Sequence, residues 1–156
     1  TPGLAALCHN LPAVRAVVEA LIGPARLCAT PVSVKPPADG AAFPLHQDSE
    51  YYSRDESEYC IVAIPLDDTT HDNGALCFLP GVHRHGPLPH TPIHGGKKAH
   101  LNPAEYRMED TVEVCAAAGD LVCFNIHTPH ASAQNTTDRP RAMVRLGYVP
   151  RGRRDA

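Results

Sequence analysis

The sequence predicts a mainly β domain of jelly-roll type, and three observations carry that prediction. Its 156 residues suit one domain, 1–156, with a single core. Proline reaches 16 residues, about twice its usual ~5% share, and with glycine it cuts the chain into short apolar runs. Those runs read as roughly six to eight short strands separated by turns, the pattern of a sandwich or barrel.

One segment departs from this. In NLPAVRAVVEALIG, residues Leu11, Val14, Val17, Val18, Leu21 and Ile22 fall on one helical stripe. Asn10 can cap its start, and Gly23-Pro24 stops it, giving a short N-terminal helix. Candidate strands follow at 26–35 (RLCATPVSVK), 58–68 (EYCIVAIPLDD), 75–81 (ALCFLPG), 111–118 (TVEVCAAA), 120–127 (DLVCFNIH) and 141–149 (RAMVRLGYV). Between 84 and 110 the pattern dissolves. A loop that long in a compact domain is usually functional or disordered, so 84–110 is expected to be a lid or substrate loop.

Composition narrows the function. A net charge of -3 gives no basic face for nucleic acid. No apolar run approaches the ~20 residues of a membrane span, and no signal-peptide pattern opens the chain. The six cysteines (8, 28, 60, 77, 115 and 123) lack C-x-x-C spacing and mostly sit in apolar surroundings. They read as buried free thiols of a reducing cytosol, hence a cytoplasmic protein. The chain opens on TPGLAALCHN without Met and reads as cut from something longer.

The stretch PLHQDSEYY sets His46 and Asp48 on either side of Gln47. On extended chain, residues i and i+2 share a face with Cα atoms ~6.6 Å apart, so both side chains can converge on one cation. Alone the pair is weak, because ten histidines and seventeen acids produce such spacings by accident. A third ligand strengthens it. In NIHTPHASAQNTTDRPRAMVRLGYV, His130 follows a strongly apolar strand and Ser132 lies two residues on, on the same face. NTTDRP is turn chemistry, and Arg141 opens the next apolar strand. That strand is expected to fold back beside the one carrying His130, a hairpin that brings His130, Ser132 and Arg141 into one cavity. Two imidazoles and a carboxylate form the facial triad of non-haem Fe(II) oxygenases, with open positions for cosubstrate and O₂. A guanidinium deeper in the pocket is what a dicarboxylate's far carboxylate needs.

With these residues in view, the chain resembles the phytanoyl-CoA dioxygenase family of Fe(II)/2-oxoglutarate-dependent oxygenases. The resemblance runs from about Gly23 to Pro150. It rests on KPPADGAAFPLHQDSEYY, IPLDDTTHDNGALCFLPGVHRHG, VEVCAAAGDLVCFN and HASAQNTTDRPR, in the family's order. It implies a cupin-like double-stranded β-helix with iron held by His46, Asp48 and His130. Arg141 would pair with the 2-oxoglutarate C5 carboxylate, Ser132 would hydrogen-bond near the same end, and Asn135 would order the turn behind the site. The implied reaction consumes O₂ and 2-oxoglutarate, releases succinate and CO₂, and hydroxylates a small molecule, with ascorbate as reductant in vitro. The chain departs from the family pattern in three places. Ile64 stands at an aromatic position of the cosubstrate pocket, the PGSH motif reads PGVH (Pro80 to His83), and the family's longer N-terminal portion is missing.

Blander roles compete for the other residues. Gln47 should face away from its neighbours and make a structural hydrogen bond. Tyr51 and Tyr52 read as packing around the site, and His127 as a core histidine. Asn73-Gly74 is a turn signal that would shape the site's rim. His83, His85, His90, His94 and His100 lack fixed ligand spacing and read as a solvated loop. Lys97, Lys98 and Arg107 read as surface charge, and the RGRRDA tail as frayed. Two other functions stay open: a degenerate β-helix fragment that binds metal or ligand without turnover, and a cupin-type metal hydrolase or isomerase.

Overall fold

Helix α1 (Pro12–Ile22) opens on a proline, whose missing N–H costs nothing in a first turn. This computed structural model describes residues 11–38, 40–51, 59–93 and 99–152. Leu11 occupies the N-cap with no side-chain cap; Asn10, the expected cap, lies outside the described residues, as do Tyr52, His94, Lys97, Lys98, Cys8 and the tail from 153. Gly23 ends the helix at φ 73°, a left-handed conformation open to glycine, and donates its N–H to Glu19 O at 3.0 Å. The buried stripe is narrower than the sequence predicts. Val14 and Val18 are buried and Leu11 and Ile22 half-buried, whereas Val17 and Leu21 face solvent.

The strands are β1 (Ala25–Ala29), β2 (Val32–Lys35), β3 (Phe43–His46), β4 (Cys60–Pro65), β5 (Leu76–Phe78), β6 (Thr91–Pro92), β7 (Ala99–His100), β8 (Val112–Val114), β9 (Val122–Asn125), β10 (His130–Ser132) and β11 (Arg141–Pro150). The expected strand at 26–35 breaks at Thr30-Pro31, because Pro31 has no N–H for a ladder. Its halves, β1 and β2, pair with successive segments of β11.

One sheet runs β1-β11-β4-β9, with β2 also on β11; the other runs β3-β10-β5-β8, and β6 and β7 form a small ribbon. The chain changes sheet between β2 and β3, β3 and β4, β4 and β5, β8 and β9, β9 and β10, and β10 and β11. This alternate winding makes the fold a double-stranded β-helix. It also overturns the expected hairpin: β10 and β11 are consecutive but belong to different sheets, because the Asn135 turn carries the chain across rather than back.

Helix α1 covers one face of the β11 sheet. Val14 and Val18 pack there on Cys60, Val62, Val144 and Leu146. Cys60 and Cys77 are buried, as the sequence suggests, but Cys28 and Cys115 are exposed. Segment 84–110 is more built than its sequence implies. It carries β6, β7 and a 3-10 turn, and Leu88, Leu101 and Tyr106 pack on Leu45, Leu79 and Ala131. Arg107 pairs with Asp110 at the surface.

The sheet crossing depends on Asn135, which is fully buried. Its Nδ2 donates to Arg139 O (2.8 Å), Pro36 O (3.1 Å) and Lys35 O (3.3 Å), and its Oδ1 accepts from Thr137 Oγ1 (2.7 Å) and Thr137 N (3.1 Å). Replacing it by alanine strands these groups. Asn135→Ala should cost at least about 1–3 kcal/mol in urea unfolding, the penalty of buried groups left unpaired. An unchanged midpoint would mean the crossing holds without it.

Candidate metal centre

His46 ends β3 and His130 begins β10, and the two are direct partners across the antiparallel ladder. Extended backbone continues through Gln47, but Asp48 starts a 3-10 turn (Asp48–Glu50) rather than prolonging the strand. The turn swings the carboxylate between the two imidazoles. Asp48 Oδ1 lies 3.6 Å from His46 Nε2, and Oδ2 lies 3.8 Å from His130 Nε2. One ligand atom from each residue falls within 4.8 Å of the others, and all three residues are buried.

Each histidine is oriented by its own backbone. His46 Nδ1 donates to Pro44 O at 2.8 Å, and His130 Nδ1 to Thr128 O at 3.0 Å. With the proton held on Nδ1, each Nε2 keeps a lone pair toward Asp48. Burial drives the His130 pKa down to about 4, with the Asp48 charge opposing it only in part, so the ring is neutral at pH 7. Burial alone would raise the Asp48 pKa, but the imidazoles of His46 and His130 and the guanidinium of Arg145 outweigh it and hold the acid at about 2. Asp48 Oδ2 and His130 Nε2 are buried with no hydrogen-bond partner. Two imidazole nitrogens and one carboxylate, with two of these ligand atoms orphaned, fit a divalent first-row cation.

Next to this cluster lies a cavity of about 500 Å³. His46, His130 and Ser132 line it from one sheet, and Lys35, Arg141 and Arg145 from the other. Arg141 is buried and donates from Nη2 to Gly74 O at 2.6 Å, while its Nε has no partner. Gly74 sits at φ 78°, and a Cβ there would run into Ala133 O. Asn73 closes that turn by accepting from Thr70 N (2.8 Å) and donating to Asp68 O (2.7 Å), next to the Gly74 carbonyl that Arg141 bonds.

Ile64 is a correction. Alternation along β4 puts it with Cys60 and Val62 against α1, and it is absent from the cavity lining. His83 is half-buried in a 3-10 turn and also lies off the lining. No described residue of 84–110 lines the cavity. Tyr51 lies edge-on to the His46 ring, at 5.6 Å between centroids, and its hydroxyl accepts from Ala99 N at 3.2 Å.

Gln47 makes the structural hydrogen bonds expected of it, whereas sequence reasoning underrated His90 and missed Arg145. Gln47 is fully buried; its Nε2 donates to His127 O (2.6 Å) and Gly86 O (2.9 Å), and its Oε1 accepts from Leu88 N at 2.7 Å. Its backbone N–H donates to His90 Nε2 at 2.9 Å. His90 is therefore a buried strut and not part of a solvated loop. Arg145 was legible: on a strand it shares the face of Arg141, four residues away.

The family model for phytanoyl-CoA dioxygenase matches residues 4–143. A probable alpha-ketoglutarate-dependent hypophosphite dioxygenase of Stutzerimonas stutzeri is 27% identical over 80% of this chain and 45% of its own length. An L-proline trans-4-hydroxylase of Streptomyces griseoviridis is 28% identical over 89% of this chain and 60% of its own. The crystal structure of EvdO2 from Micromonospora carbonacea var. aurantiaca, complexed with 2-oxoglutarate, superposes with a TM-score of 0.76 at 25% identity, covering 92% of this chain and 62% of that one. The chain thus spans roughly half the length of the curated relatives it matches.

Gln47 links the ligands to the following segment, and this can be measured. In Gln47→Leu, Leu88 N–H, Gly86 O and His127 O lose their partners. Amide exchange at Leu88 should accelerate by about tenfold or more, while the Val62 amide in the core keeps its protection. Equal protection in both proteins would show that packing alone holds the segment.

Proposed function

The chain belongs to the phytanoyl-CoA dioxygenase family, and from that premise we propose that it carries the centre of an Fe(II)- and 2-oxoglutarate-dependent oxygenase. The reaction is hydroxylation of a C–H bond in a small molecule, with release of succinate and CO₂. One observation supports this above the rest: a buried His-Asp-His cluster with orphaned ligand atoms opens on a cavity that also holds a buried arginine. A hydrolase or isomerase would leave that arginine without a purpose.

His46, Asp48 and His130 would hold the iron, with both imidazole tautomers preset by Pro44 and Thr128. When bound, iron and 2-oxoglutarate would supply the oxidising chemistry, the keto acid losing CO₂ and succinate and the hydroxylated product each taking one atom of O₂. Arg141 offers a planar fork to the C5 carboxylate, and the Gly74 carbonyl fixes the orientation of that fork. Ser132 presents a hydroxyl to the same space, and Phe43, Leu76 and Met143 line it with apolar surface that excludes water. No side chain is assigned as nucleophile or general base.

Hypophosphite and L-proline, the compounds in the relatives' names, are small and polar, which supports a small-molecule substrate here. No helix among the described residues is long and apolar enough to cross a membrane, and the free cysteines suit a cytoplasmic setting.

Anaerobic titration of the metal-free protein with Fe(II) and 2-oxoglutarate tests the reading. A visible charge-transfer band should appear, and admission of O₂ should yield succinate. A band without succinate is the outcome for a binding-only domain. Equal turnover by Ni(II)- or Zn(II)-loaded protein would exclude oxygenase chemistry, although such ions compete well for this donor set.

Arg141 gives a second test. Hydrogen bonds to charged groups contribute ~1.5–3 kcal/mol, and each 1.4 kcal/mol is about tenfold in affinity. Arg141→Ala should raise the 2-oxoglutarate requirement about ten- to a hundredfold, and Arg141→Lys should recover only part of it. Fe(II) affinity without cosubstrate should stay near that of the parent. If Arg141→Ala binds 2-oxoglutarate like the parent, the anchor lies elsewhere.

A further inference from the structure

His90 has the side chain of a metal ligand, yet both of its ring nitrogens are already engaged. The imidazole is 1% exposed and lies off the cavity lining. Its Nε2 accepts the backbone N–H of Gln47 at 2.9 Å, and its Nδ1 donates to Leu88 O at 2.8 Å, with Glu50 Oε2 3.7 Å from the same nitrogen. A backbone amide can only donate, so Nε2 carries no proton and the ring is the neutral Nδ1–H tautomer. Burial acts in the same direction, holding the His90 pKa below its ordinary value. The lone pair that a metal would need is spent on the chain itself.

That amide belongs to the peptide joining His46 to Gln47. The same short stretch is pinned elsewhere too. Leu45 O accepts from Leu101 N (2.8 Å), Gln47 O accepts from Glu50 N (3.3 Å), and Ser49 N donates to Ile126 O (3.4 Å). Of these contacts, that of His90 is the one made to the peptide behind the ligand His46. The backbone is extended at Gln47 (φ -106°, ψ 141°) and bends at Asp48. A rotation of the His46–Gln47 peptide therefore moves the His46 ring against the Asp48 carboxylate, 3.6 Å away. Gln47 is fully buried, so its N–H without an acceptor is costly. Turning the peptide toward another acceptor relieves that cost at the expense of the ligand geometry.

We propose that His90 is a positioning residue of the metal centre: as a hydrogen-bond acceptor and not as a ligand, it fixes the His46–Gln47 peptide and thereby the placement of His46 and Asp48 around the ion. The proposal rests on the metal-centre reading, and its test separates the two.

The metal-free parent and its variants are titrated with Co(II), whose visible d–d bands report coordination geometry. His90→Gln carries an amide oxygen about as far from the backbone as Nε2. His90→Asn reaches only to the place of Nδ1, and His90→Phe keeps a ring without either nitrogen. The Asn and Phe variants should bind Co(II) about tenfold more weakly than the parent, with altered bands. The Gln variant should bind within about threefold of the parent, with the parent's bands. A role confined to holding the segment would lower the unfolding midpoint of the Asn and Phe variants and leave Co(II) affinity and bands alone, which overturns the proposal. So does a folded Gln variant that binds as weakly as Phe. Circular dichroism checks folding, and where Phe does not fold, Asn decides. Nitrogen-15 NMR of the parent's imidazoles needs no variant. On Zn(II) loading the Nε2 signals of His46 and His130 should move and that of His90 should stay; if it moves with them, His90 is a ligand and the proposal fails. A parent that binds neither Co(II) nor Zn(II) sinks the metal-centre reading, and the proposal with it.

Discussion

Asp48 holds a negative charge at 1% exposure, and the site is organised around that cost. Removing a carboxylate from water costs several kcal/mol unless partners replace the solvent. Here the partners stand close without completing the job. His46, His130 and Arg145 approach to between 3.5 and 3.8 Å, and Oδ2 has no hydrogen bond. The low pKa means that the proton is not the missing partner at neutral pH. A cation is. The same demand explains the break in the chain at Asp48, since a continued strand could not set the carboxylate between the two imidazoles.

The two sheets divide the work. The candidate metal ligands come from β3, β10 and the turn after β3, whereas the arginines come from β11 in the opposite sheet. The cavity therefore has a metal wall and a cationic wall, held apart by the winding of the chain. Asn135 stands where the chain leaves one wall for the other. Its five hydrogen bonds fix the spacing between His130 and Arg141, eleven residues apart in sequence but on different sheets.

Local features were legible in the sequence, and pairings were not. The helix, its Gly23 stop and most strands follow from periodicity and breakers, and the His46, Asp48 and His130 set follows from donor chemistry and spacing. The hairpin expectation failed because turn residues such as NTTDRP say that the chain bends, not which sheet receives it. Ile64 was placed in the pocket by its motif position in the family resemblance, and CIVAIP, buried on both sides, shows no polar alternation that would have corrected it. A structural hydrogen bond was expected of Gln47, but its partners, Gly86, Leu88 and His127, could not be named because they lie about 40 to 80 residues away.

Gln47 also changes how segment 84–110 should be understood. The residue lies between two ligands, so its backbone cannot shift without moving His46 or Asp48. Every polar atom of its side chain is tied to the chain at 86–88 or to His127, and its N–H is tied to His90. Opening the segment there would break three of these hydrogen bonds and disturb His46 and Asp48 together. The start of the segment is thus part of the scaffold, held as firmly as the centre it braces. The cavity wall at Lys35 and Pro36 belongs instead to a short strand and the turn after it.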